Sequence, residues 1–159
     1  MTYPLDQTIM RKYLRTKDDA NDFYIVLDHL TNNLFAPETT VDQMLLEQAS
    51  YQKTTLFKQL AKTARVNLQD KTQLQLFLNE VKNFLTTLPV VTLTVAIEPK
   101  EVMITAIHDW FSRNYKTLVL LDIMIDSTII GGTLVRFNGH YADYSLKKSL
   151  EEMETQGLN

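Results

Sequence analysis

The chain has 159 residues, 45% apolar and 22% charged, with 16 basic and 19 acidic side chains and a formal net charge of −3. That is the profile of a packed globular protein, and without an overall positive field it argues against nucleic acid or anionic lipid as a direct partner. Cysteine is absent, which removes disulfides, thiolate nucleophiles and thiolate metal sites together and fits a reducing compartment.

The first residues, Met1 to Asp6, carry no basic region followed by an apolar core. No stretch approaches the roughly 18 apolar residues that would span a bilayer. The expectation is a cytoplasmic protein that reaches a membrane only through a partner. Residues 1–88 carry ten basic and ten acidic side chains, whereas residues 89–159 carry six and nine, so the negative excess lies in the second part.

All four glycines (Gly131, Gly132, Gly139, Gly157) fall in the last 29 residues, which leaves a long glycine-free region that favours helices. A short helix is read at 5–15. Phe23, Val26/Leu27, Leu30 and Leu34 recur every three or four residues, with Asp18 and Asp19 suited to a helix start and Pro37 beyond the end, so 18–35 is read as a helix. A short helix follows at 40–47. Leu56, Phe57, Leu60, Ala61 and Ala64 repeat the pattern, and Leu74, Phe77/Leu78, Val81, Phe84/Leu85 and Leu88 form the clearest stripe. Residues 1–88 therefore predict an all-α bundle of four or five helices, whose apolar faces bury one another. The broad stripe from Leu74 to Leu88 reads as core, with some surface to spare for a partner helix.

At Pro89 the period changes. Val90 to Ile97 alternates like a strand, and a second domain over 89–159 is predicted from there. After Glu98-Pro99, a helix to about Asn114 is expected to bury Met103, Ala106/Ile107 and Trp110. Leu118 to Ile125 then reads as a strongly apolar strand ended by Asp126. Thr133 to Phe137, Asn138-Gly139 and His140 to Ala142 read as a hairpin, because Asn-Gly supplies the two φ > 0 residues of a type I′ turn. A last helix is expected from about Tyr144, with Leu146, Leu150 and Met153 on one face and Lys147, Lys148, Glu151 and Glu152 on the other. The fold class is thus α+β, a helical bundle followed by a small β-α-β-β-β-α domain.

Several motifs invite chemistry and fall short of it. Gly131-Gly132 lacks the Gly-Lys-Ser/Thr of a phosphate loop and reads instead as a tight approach into a strand. His29, His108 and His140 fall on three elements without metal-ligand spacing. The first two read as borders of helix faces and His140 as exposed beside its turn. Asp126 and Asp143 each follow a strand and could in principle form an acid/base dyad in a small enzyme. Their following Ser127-Thr128 and Ser145 fit turn and cap hydrogen bonds better. Trp110, Phe111, Tyr141 and Tyr144 read mostly as core or hairpin cover, since too few basic residues accompany them for a base-stacking platform. No cofactor or metal site emerges.

Asp126, then Gly131-Gly132, an apolar strand, a turn at Gly139, and Asp143-Tyr144-Ser145 opening a helix with Leu146 and Leu150, resemble the C-terminal signature of the δ (oligomycin-sensitivity-conferring) subunit family of F-type ATP synthases. The strand-helix-strand order upstream agrees with that family, and the match covers 89 to about 155. Residues 1–88 agree in kind as a helical bundle, whereas the family's first-helix pattern Tyr-Ala-x-Ala-Leu is absent. The resemblance implies a non-catalytic stator subunit. Its helical bundle would grip the N-terminal segment of an α subunit, and its second domain would meet the b subunits of the peripheral stalk, with Leu146, Lys147, Lys148 and Leu150 at that contact. It would lie on the inner face of the membrane through the complex. An adaptor that binds some other amphipathic helix is the alternative of a different class.

Overall fold

The computed structural model describes residues 3–37 and 40–145. Five helices come first: α1 (Gln7–Arg11), α2 (Lys17–Asn33), α3 (Val41–Gln48), α4 (Tyr51–Thr63) and α5 (Lys71–Thr87). Then follow β1 (Val90–Val95), α6 (Glu101–Tyr115), β2 (Leu120–Ile125), β3 (Thr133–Phe137) and β4 (His140–Asp143). The chain divides into two compact units at Leu88/Pro89.

In the first unit, side-chain caps fix where helices begin. Thr16 and Asp19 form a reciprocal capping box on α2, and Thr40 and Gln43 form another on α3. Asp70 accepts from Thr72 and Gln73 at the start of α5. Each satisfies amide groups that a helix start leaves without partners. α2 starts at Lys17, so the capping residue is Thr16, with Asp19 completing the box. The five-residue α1 is shorter than the span 5–15 read from the sequence, and α4 starts at Tyr51, ahead of its first stripe residue, Leu56.

Phe23, Phe57 and Phe77 are fully buried, as are Leu56, Leu74, Leu78 and Val81. The Tyr3 ring meets Phe77 edge-on at 5.6 Å. Its backbone N–H donates to Glu80 Oε2 at 2.9 Å, so the N-terminal segment is tied to α5. Lys53 pairs with Asp22 and Lys82 with Asp28, linking α2 to α4 and α5. Being partly exposed, these ion pairs contribute little beside the apolar core.

In the second unit a four-stranded sheet has the order β2-β1-β3-β4. β1 runs parallel to β2, with Val91 opposite Leu121, and antiparallel to β3, with Leu93 opposite Val135. β3 and β4 form the hairpin, Phe137 opposite His140. Asn138 and Gly139 have φ of +49° and +77°, as a two-residue type I′ turn requires. α6 crosses from β1 to β2 over one face of the sheet, where Val91, Leu93, Phe111, Val119, Leu121 and Phe137 form the core with Ile104 and Ile107 against it.

The face α6 turns to the sheet is shifted from the one expected: Ile107 packs inward as expected, but Ala106 is exposed. Ile104, Ile107 and Phe111 pack inward, while Met103 and Trp110 are each 54% exposed. Both stripes are apolar, so periodicity alone did not choose between them, and the sheet's outline decides. His108 lies on the inward stripe too and is fully buried, rather than at a face border. The last helix expected from sequence lies outside the described residues, with Leu146, Lys147, Lys148, Leu150 and Met153.

Candidate functional site

The residues of the C-terminal signature meet around the ends of the strands. Asp126 closes β2, and its Oδ1 accepts from the Thr128 hydroxyl at 2.6 Å and the Thr128 backbone N–H at 2.9 Å. Those two bonds, the hydroxyl's first, hold its carboxyl below the ordinary aspartate range. Its charge thus favours the folded chain above the unfolded-state pKa, and the benefit disappears as pH falls through the lower folded pKa. In Asp126→Asn the acid limb of stability, followed by urea unfolding across pH, is expected to be flatter than in the wild type. Superimposable limbs would show that the turn gains nothing from the charge.

Gly131 and Gly132 follow with φ of +67° and +79°. A Cβ on Gly132 would collide with the Tyr144 carbonyl oxygen and lie 2.7 Å from the Ser145 Cα. The pair therefore lets the loop before β3 run against the exit of β4. There Tyr144 N–H donates to the Thr133 carbonyl at 2.9 Å and Ser145 N–H donates to Asp143 Oδ1 at 2.8 Å. Gly139 stands apart in the hairpin turn with open space around it.

Asp126 and Asp143 do not form a dyad. Asp126 follows β2 and Asp143 ends β4, the two outer strands of the sheet, and three strand spacings put them about 14 Å apart. Acid/base pairs across one reacting bond need to be closer than that. His29 is half-buried on α2 and His140 exposed beside its turn. Among the described residues, no group of three His, Cys, Asp or Glu gathers as a metal site.

What the second unit does offer is an apolar groove of about 730 Å³. One wall is α6, through Ala106, Ile107, Trp110, Phe111 and Tyr115. The other is the hairpin, through Val135, Phe137, Ala142 and Tyr144, with Asn138 and His140 at the turn end. Phe137 stacks edge-on against Tyr115 at 4.6 Å and Phe111 at 5.7 Å, which fixes the floor. Trp110 (54% exposed) and Tyr144 (70%) stand on opposite walls, so of the four aromatics read mostly as core or hairpin cover only Phe111 is core. Among the described residues, the space between α6 and the hairpin stays open above the Phe111, Tyr115 and Phe137 rings.

The first unit has a shallower groove between the N-terminal segment and α5, lined by Tyr3, Leu5, Leu76, Glu80 and Phe84. Leu76 is 54% exposed. It lies off the buried stripe of α5, and that displacement is the sequence signal for this surface. Tyr3, Tyr115 and Phe137 carried no such signal, because their roles depend on contacts between elements distant in sequence. Among the described residues, no helix is long and apolar enough to cross a membrane.

Residues 14–156 match the family model described as ATP synthase delta (OSCP) subunit. No curated protein matches the chain. Among solved structures, a chain in the cryo-EM structure of the Toxoplasma gondii mitochondrial ATP synthase hexamer is similar at 13% identity and a TM-score of 0.40, with 96% of this chain and 94% of that one covered. The family match spans nearly the whole chain, both the helical bundle and the sheet unit. The chain belongs to the ATP synthase delta (OSCP) subunit family, whose members are structural, non-catalytic subunits of the enzyme.

Proposed function

We propose that this chain is a peripheral-stalk subunit that holds the catalytic head of an ATP synthase to its stator, so that rotor torque changes the conformation of the head instead of spinning it. The helical unit would grip the N-terminal segment of an α subunit, and the sheet unit would hold the b subunits. The observation that carries this reading is that, among the described residues, each unit has its own largely apolar, open groove, and neither groove is lined by a constellation for bond chemistry. Exposed apolar walls of this kind are suited to an amphipathic helix. In the sheet unit Trp110 and Tyr144 are the residue types that dominate such interfaces. Leu146, Lys147, Lys148 and Leu150 follow directly on Tyr144 and Ser145 and would extend the contact with a polar rim. The complex would then hold the chain on the inner face of the membrane.

Calorimetry with two synthetic peptides tests the reading, one from the N-terminus of the same organism's α subunit and one from the C-terminus of its b subunit. Micromolar or tighter binding, about −8 kcal/mol, is expected for each. Leu76→Asp should abolish the first alone, and Trp110→Ala should weaken the second by about 2 kcal/mol. Binding of neither peptide would sink the proposal. Binding of only the b peptide would mean that the departure in the first helix has removed the grip on α.

A further inference from the structure

We propose that Asn138 is a deamidation site whose conversion places a carboxylate at the turn end of the aromatic groove and so weakens docking there with age. In the reaction the Gly139 backbone nitrogen, having lost its proton, attacks the Asn138 side-chain carbonyl carbon. A C–N bond forms, the side-chain nitrogen leaves as ammonia, and a five-membered succinimide remains. Water then opens this ring at either carbonyl, giving aspartate or isoaspartate. Overall one water is consumed and one ammonia released, and no oxidant is needed.

Three observations single out this residue. Asn138 is the one asparagine of the chain that glycine follows; the others before the terminal Asn159 precede Asp, Asn, Leu, Glu, Phe or Tyr. Asn138 and Gly139 are both exposed, and apart from the chain neighbours no atom lies within 4 Å of where a Cβ on Gly139 would stand, so the turn is open to water. The ladder pairs Phe137 with His140, which leaves the Gly139 amide outside the strand hydrogen bonds that would hold it. By contrast Asn21, Asn32, Asn79 and Asn83 sit inside α2 and α5, where the next residue's amide belongs to a helix ladder.

The consequence follows from position. Asn138 lines the groove beside His140 and the buried Phe137. A new negative charge there must be desolvated when an apolar helix face covers it. Isoaspartate also adds a backbone carbon to a turn that has room for two residues, disturbing the Phe137–His140 register. The effect on docking rests on the groove being the b-subunit contact, whereas the chemistry does not.

The full-length protein is incubated at mildly alkaline pH and digested, and its asparagine-containing peptides are followed by mass spectrometry, with isoaspartyl methyltransferase labelling to identify isoaspartate. Asn138 is expected to convert severalfold faster than any other asparagine, giving both products, and Asn138→Gln is expected to remove the signal with the fold intact by circular dichroism. Conversion no faster than that of the helical asparagines would overturn the proposal. The aged protein and Asn138→Asp should bind the b-subunit peptide severalfold more weakly than fresh protein. Unchanged affinity would overturn the docking consequence. If fresh protein fails to bind that peptide while Asn138 still converts, the docking reading of the groove fails and the modification stands.

Discussion

Gly132→Ala is expected to destabilise the sheet unit by about 3 kcal/mol, the sum of a strained backbone and a collision that side-chain motion cannot relieve. At φ +79° an alanine already costs something close to 1 kcal/mol. The larger part comes from what surrounds the missing Cβ, namely the backbone of Tyr144 and Ser145. Moving that backbone would break the Tyr144 N–H to Thr133 bond, and with it the last rung that closes β3 onto the exit of β4. Gly139→Ala is the internal control, because it has a similar φ of +77° and nothing within 4 Å, so it should lose only about 1 kcal/mol. Urea unfolding of both variants measures the difference. Equal losses would mean that the loop before β3 shifts freely and that the glycine pair is there for its dihedral angles alone.

Phe77→Ala is expected to cost about 4 kcal/mol, the upper part of the range for removing a buried aromatic ring. Phe77 is fully buried and touches rings from two other parts of the first unit, Tyr3 at 5.6 Å and Phe57 at 6.3 Å. Its loss therefore opens a void where α4, α5 and the N-terminal segment converge. Tyr3 is held to α5 by polar bonds as well, its N–H to Glu80 and its hydroxyl to the Gln73 carbonyl. The same substitution should loosen the groove that Tyr3 lines and weaken α-peptide binding in parallel. A loss below about 1 kcal/mol would show that the helices close over the site.

Much of this architecture was legible because helices and strands announce themselves by period. The stripe from Leu74 to Leu88, the change at Pro89 and the Asn-Gly turn depend on neighbours close in sequence, and α5, β1 and the hairpin appear where those signals lie. Boundaries slipped where a cap or a pairing partner decides them. Thr16 starts α2 by its side-chain bond to Asp19, and β1 ends at Val95, two residues before Ile97, where its pairing with β2 and β3 stops. The site was less legible than the fold. Met103 and Trp110 have the same spacing as Ile104, Ile107 and Phe111, and only the sheet beneath α6 determines which stripe goes inward. The close approach of Gly132 to Tyr144 could be anticipated as a tight glycine contact, but its partner lies across a hairpin and only the pairing of β3 with β4 identifies it.

Two residues, Leu88 and Pro89, separate the end of α5 from the start of β1. The strand joined directly to the helical unit is thus not at the margin of its sheet. β1 has β2 on one side and β3 on the other. Tension directed along β1 would be resisted by two rows of hydrogen bonds lying across it, all strained together in shear. An outer strand peeled from its end would give up the same bonds one at a time under far less force.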